Sequence, residues 1–253
     1  MLIAFLLTYI LIIGLTYLGF VLTQRPAMID VCWGLGHLAI GSICLAFNTH
    51  LTFYNLLVYV CLVAWALRLS GFLFWTRIVS AHQEKRYHGL LKQPGQPLHR
   101  QFLKQIILQA TLMYMLMLPF YFSLLKTMHS HGFIIHLSQI LFWFCWINEA
   151  ITDWQRHRYR QAHHQGICRT GLWRYSRHPN YFFELGMWYA FALMAMNAPW
   201  GWISLMSPLI LQALMLLITI PVTEKQSLAR DPMYAAYQHE TAKLIPMFKW
   251  RKP

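Results

Sequence analysis

Charge is what this sequence has least of. Of its 253 residues only 11% are Asp, Glu, Lys or Arg, against 57% apolar; a water-soluble domain carries about a quarter charged residues. That deficit excludes intrinsic disorder, which needs a polar chain, and points to an integral membrane protein. Acids are the scarcest group, with 8 Asp+Glu against 21 Lys+Arg. A net charge of +13 would suit nucleic-acid binding in a soluble protein. In a membrane protein it is the ordinary positive-inside bias, so no nucleic-acid partner is expected. The cysteines Cys32, Cys44, Cys61, Cys145 and Cys168 include no CxxC pair, which argues against a disulfide framework. His157, His163, His164 and Cys168 fit no closed ligand spacing, so no metal is expected. A glycine-rich dinucleotide fingerprint is also missing, and with it support for a Rossmann domain.

Long apolar runs are there instead. A membrane-crossing helix needs about 20 apolar residues. Leu2–Leu22, Val31–Phe47, Leu51–Trp75, Ile106–Leu125, Gly132–Thr152, Tyr181–Met196 and Trp200–Val222 supply seven such segments. The expected fold is therefore all-α and polytopic, with seven transmembrane helices in one membrane-embedded domain over residues 1–253. The first run has neither a positive flank before it nor a small-residue cleavage site after it, so it reads as an anchor. Only Asn197, Ala198 and Pro199 separate the last two runs, which makes them a hairpin.

With seven spans, segments 23–30, 76–103, 153–180 and 223–253 share one face and hold 18 of the 21 Lys+Arg. That skew places them in the cytoplasm, with the N-terminus outside and the C-terminus inside. The polar segments are too short to bury cores of their own. They must fold onto the helix ends.

Asp30, Glu84, Glu149, Asp153, Glu184 and Glu224 all fall near the basic ends of these spans. Glu149 and Glu184 lie inside apolar runs, as does Arg68, and a charge there must face protein or a wet cavity. Glu149 and Asp153 are four apart and share a helical face, with Arg160 two turns further on. Carboxylates suit hydroxyls or an amide, while a guanidinium forks onto phosphate. The densest stretch is Arg169-Thr-Gly-Leu-Trp-Arg-Tyr-Ser-Arg-His-Pro-Asn-Tyr-Phe-Phe-Glu184. Arg169, Arg174, Arg177 and His178 precede Pro179, which opens a helix, and a helix N-terminus behind clustered guanidiniums can receive phosphate. Asn180 and Glu184, one turn apart, point the same way. In the tail, Tyr234 and Tyr237 either close over a flat ring system or belong to an interfacial aromatic belt.

The segment Gly171–Glu184 resembles the steroid 5-alpha-reductase family, in particular its bacterial branch of membrane proteins. The similarity extends to Met28-Ile-Asp-Val-Cys-Trp-Gly34, to Trp65-Ala-Leu-Arg-Leu69 with Arg77, and to Gln83-Glu-Lys-Arg-Tyr87, where Gln83 replaces an expected acid. Glu149, Asp153 and the Glu224/Tyr234/Tyr237 tail also match. The resemblance implies an enzyme of the bacterial inner membrane, expected as a monomer. It would bind NADPH in the bundle and reduce the carbon–carbon double bond of an enone in a steroid-like or other lipophilic substrate. Asn180 and Glu184 would meet the nicotinamide side, and Glu149 and Asp153 the polar middle or adenosine portion. Arg160, Arg169, Arg174 and Arg177 would hold phosphates. His178, Tyr181, Glu224 and Tyr237 complete the implied cofactor set. Tyr87 would polarise the substrate carbonyl, with Glu84, Gln83 or Asp30 as its partner.

That chemistry is self-consistent. Hydride reaching the β carbon builds charge on the carbonyl oxygen, and a buried tyrosine hydroxyl stabilises the enolate. Membrane methyltransferases of the isoprenylcysteine or phospholipid type also resemble the Arg-His-Pro-x-Tyr run. Their cofactor, S-adenosylmethionine, has no phosphates, and the extra arginines favour a larger phosphorylated one. A transporter or lipid-binding scaffold would need a polar path to the outer face, and the polar groups cluster at one end only.

Overall fold

The computed structural model describes residues 1–80, 95, 97–126, 133–163 and 166–247. Every regular element among them is helical, apart from one isolated bridge between Ser176 and Ala242. The first apolar run forms α1 (Leu2–Thr23), which ends where Gln24 turns left-handed at φ 56° and its N–H returns to Phe20 O. α2 (Met28–Ala46) carries Asp30 in its first turn, where a carboxylate complements the helix dipole. α3 (Phe53–Leu73) opens on a capping box between Thr52 and Asn55 and continues as a π-helical turn, Phe74–Val79. α4 (Leu98–Met115) is followed by Leu118–Phe120 and the π-helical Tyr121–Leu125, bent by 40°. Pro119 lies at the break, where its missing N–H cannot continue the α ladder.

α5 (Phe133–Ala162) runs 30 residues, well past the predicted end at Thr152. α6 (Pro179–Ala195) opens on its proline, a position where the absent N–H would have no partner anyway. α7 (Met206–Leu214), a π-helical turn Met215–Thr219 and α8 (Ile220–Arg230) continue one another. The short α9 (Tyr234–Glu240) ends the helical part of the tail.

Among the described residues, five helices are long and apolar enough to cross a membrane, or six if the bent pair is one span. The remaining predicted span, Tyr181–Met196, coincides with the 17-residue α6. Leu2, Leu6, Ile10, Phe133, Ile140 and Leu217 are all more than half exposed. Apolar surface on that scale is untenable in water and expected against lipid. The chain is a helical membrane protein.

Contacts divide the chain into two units, Met1–His136 with Phe191–Ser207, and Leu137–Ala190 with Pro208–Pro253. In the first, Phe20 stacks on Phe102 at 3.8 Å within a cluster that includes Ala27, Ile29 and Ile106. Asn55 donates to the carbonyls of Ser123 (2.6 Å) and Lys126 (3.1 Å), and Asn48 to Leu124 O at 2.8 Å. These amides satisfy carbonyls that the π-helical turn leaves open. α2 and α3 approach closely at Gly34, where an added Cβ would lie 2.9 Å from Ala66 O and 3.2 Å from Ala66 Cα. Without a hydrophobic drive between helices in lipid, small residues at such crossings allow the packing that holds them.

In the second unit, Gly171 sits at φ 58°, which lets the chain turn so that Leu172 N–H donates to Gln155 Oε1 at 3.1 Å. The Trp173 indole donates to Thr152 O at 2.9 Å. Tyr189 on α6 donates to Gln212 on α7 at 2.6 Å.

The Gly34 crossing yields a direct test. Gly34→Val should destabilise the protein by about 1–3 kcal/mol through overpacking against backbone. Gly14→Ala, where a new Cβ meets nothing within 4 Å, should leave thermal unfolding in detergent unchanged or slightly raised. Equal Tm values for both variants would contradict the close approach.

Candidate functional site

The second unit gathers its polar side chains where the last turns of α5, the 166–178 loop, α8 and α9 meet. At the centre is Glu224, 8% exposed. Its Oε1 accepts from Arg177 Nε at 2.8 Å and His178 Nε2 at 3.1 Å, and its Oε2 accepts from Gln238 Nε2 at 2.8 Å. A carboxylate only accepts, so the proton of His178 resides on Nε2. Arg177 also donates through Nη1 to Thr241 O at 3.0 Å and to Gln238 O.

The tail returns along this loop. Arg177 N–H donates to Ala242 O at 2.9 Å, Ser176 Oγ to Leu244 O at 2.7 Å, and Met247 N–H to Tyr175 O at 3.1 Å. Tyr237 Oη donates to the Trp173 carbonyl and lies 3.1 Å from Ser176 O. The loop that precedes Pro179 is therefore held from three sides.

Next to this junction is a cavity of about 40 Å³, room for a few waters or one small anion. Arg156, Arg160, Arg177 and Arg230 line it, with Tyr159, Trp173, Tyr234 and Tyr237. His178, Thr223 and Ser227 complete the polar part, and no carboxylate is among the lining residues described. Arg156 lies 4.9 Å from the Trp173 ring centroid, a cation–π contact. Burial pushes the Tyr234 hydroxyl up to about 12 and raises Tyr237 as well, so both are neutral donors at physiological pH. Burial also lowers His178 below its ordinary value, outweighing its Glu224 partner, with Arg156 and Arg177 acting in the same direction as burial.

Of the residues expected from the sequence to hold a cofactor, Arg160, Arg177, His178 and Tyr237 line the cavity. Glu224 is the junction beneath it. Tyr181 stacks on His178 with centroids 5.3 Å apart. Arg169 pairs with Glu240 at 3.0 Å and lies over the Tyr237 ring, while Arg174 is exposed; neither lines the cavity. Glu149 is buried on α5, and Glu184 accepts from the Trp188 indole at 3.0 Å. Asp153 is half-buried on α5. Asn180 has a buried Oδ1 that accepts no hydrogen bond among the described residues. Asp30 belongs to the first unit, where it pairs with Arg77. Tyr87, Glu84 and Gln83 lie outside the described residues.

Arg156 and Arg230 were not anticipated. A stripe was nonetheless available, since Asp153, Arg156 and Arg160 follow at three- and four-residue steps, as do Thr223, Ser227, Arg230 and Tyr234.

The chain matches the family described as "Protein of unknown function (DUF1295)" over residues 17–241. The chain belongs to that family. The family is associated with steroid 5-alpha-reductase-like proteins. A protein of Schizosaccharomyces pombe described as uncharacterized is 24% identical over 267 residues, covering 88% of this chain and 73% of its own length. No solved structure matches.

Two tests follow from the junction. Glu224→Ala leaves Arg177 buried without its anion and should cost about 3–5 kcal/mol; a loss below about 1 kcal/mol, the range of exposed pairs, would contradict a structural junction. The second concerns pH. Folded His178 binds its proton more weakly than the unfolded chain, so its contribution is complete above its ordinary value of 6.5 and is lost as pH falls below that. Unfolding midpoints should therefore drop between about pH 7 and 5, with a shallower drop in His178→Asn; identical slopes would exclude His178 as the source.

Proposed function

We propose that this protein is a membrane-embedded, NADPH-dependent reductase of the carbon–carbon double bond in lipophilic enones. The supporting observation is the cavity lined by four arginines and four aromatic residues, with no carboxylate among its described lining residues. Guanidiniums recognise phosphate oxygens through paired N–H donors. Tyrosine and tryptophan rings offer flat surfaces to a nucleotide base or nicotinamide. The buried, unengaged Oδ1 of Asn180, two residues from the cavity-lining His178, suits the N–H of a carboxamide. The donor set thus fits the phosphate and amide portions of such a cofactor. At about 40 Å³ the cavity accommodates a phosphate group, and the rest of the dinucleotide requires it to widen.

The reaction class rests on the resemblance at Gly171–Glu184. The cofactor, when bound, supplies the hydride. The chain's own part is to hold phosphates with Arg156, Arg160, Arg177 and Arg230, and to keep water away with the apolar helices. Tyr87, from the resemblance, donates a hydrogen bond to the substrate carbonyl as charge builds there. The reading includes seven spans, a cytoplasmic C-terminus and a location in the bacterial plasma membrane, because the basic residues collect on one face. The methyltransferase reading is the weaker one, because S-adenosylmethionine has no phosphates and offers four arginines a single carboxylate.

Purified protein should gain several degrees of thermal stability at NADPH concentrations well above Kd and none with S-adenosylmethionine. Stabilisation by S-adenosylmethionine alone would reverse the choice. Tyr87→Phe should reduce enone turnover by about 10²-fold or more while NADPH affinity is retained. Loss of NADPH binding in that variant would place Tyr87 in the cofactor site instead.

A further inference from the structure

We propose that Arg156, Arg230 and the Tyr234 hydroxyl form a receptor for one phosphate monoester group. This deepens the cofactor reading and rests on it only for the molecule that carries the phosphate. The four cavity guanidiniums are not equivalent. Arg177 is already matched by Glu224 at 2.8 Å and spends its Nε and Nη1 on protein acceptors. Arg156 and Arg230 form no ion pair with a carboxylate among the described residues. Two cations that line one small cavity repel each other, less strongly where water reaches the exposed Arg230. An anion placed between them removes that cost.

The remaining contacts define which anion. Arg156 lies over the Trp173 ring at 4.9 Å, and a guanidinium in such a contact can still donate to a forked acceptor. Tyr234 is 6% exposed, and its hydroxyl forms no hydrogen bond among the described residues. It lies within electrostatic reach of Arg156, Arg177 and Arg230. Two guanidiniums and a neutral hydroxyl donor suit a dianion with three terminal oxygens, the description of a phosphate monoester near neutral pH. A carboxylate brings half the charge and one oxygen fewer. Arg230 also sits in the last turn of α8, where it complements the helix dipole. That role accounts for its position in sequence and does not require it to line a cavity shared with Arg156.

Such a group can arrive on a soluble nucleotide or on a lipid headgroup at the membrane surface. NADPH and NADH differ by one phosphate monoester, so they serve as a matched pair. With the full chain in detergent, wild type should bind NADPH at least about tenfold more tightly than NADH. Arg230→Gln, at an exposed position that leaves packing intact, and Arg156→Gln should each weaken NADPH by about tenfold and leave NADH within about twofold. Arg156→Lys should recover part of the loss. Inorganic phosphate should compete with NADPH in wild type and not in the variants. Unchanged NADPH affinity in both Gln variants would overturn the receptor and leave the cofactor reading standing. If neither dinucleotide binds, nanodiscs of phosphatidic acid and phosphatidylcholine decide the source. Stabilisation of wild type but not the variants by phosphatidic acid would support a lipid-phosphate receptor and end the cofactor reading; no response to phosphatidic acid or inorganic phosphate would end both.

Discussion

One buried carboxylate organises the polar side chains of the second unit. Glu224 accepts three hydrogen bonds, from Arg177, His178 and Gln238, and so ties the loop before Pro179 to α8 and α9. Removing a carboxylate from water is costly, and it is offset here by a guanidinium at close range and by complete use of both oxygens. The consequence reaches the cavity. Arg177 is fixed in place and electrically matched, and His178 is held neutral with its proton on Nε2. The cavity's remaining positive charge then belongs to arginines on α5 and α8.

The membrane accounts for why this chemistry falls outside the apolar runs. Charges inside hydrocarbon are expensive, and a helix keeps its backbone satisfied wherever it runs. The sequence therefore separates into apolar runs and basic connecting segments. α5 follows from the same logic extended. Its apolar part ends near Thr152, but the helical ladder continues to Ala162 and carries Arg156 and Arg160 to the cavity.

How much of this could be read from the sequence differs by level. The helices at Leu2–Thr23, Met28–Ala46 and Phe53–Leu73 lie close to the hydropathic runs, because apolar length is itself the constraint in a bilayer. Hydropathy does not report the polar extensions of α5 and α8, since it stops once a helix leaves the lipid; on α5 only the helical spacing of Glu149, Asp153 and Arg160 points to one. The break after Met115 had a signal in Pro119, which a window of apolar residues conceals. At the site, Arg160, Arg177, His178 and Tyr237 were legible through local motif and periodicity. Arg156 and Arg230 required knowing that α5 and α8 converge. Residue type could mark Glu224 as important, but not that the protein itself occupies both of its oxygens; that depends on Gln238 and Arg177, 14 and 47 residues away.

Hydrogen exchange of the full chain in nanodiscs, with and without NADPH, tests the central claim most directly. If the Glu224 junction supports a phosphate-binding cavity, the cofactor should slow amide exchange in the 166–178 loop and the 220–241 segment. Protection restricted to α1–α4, or no change at a saturating concentration, would contradict it.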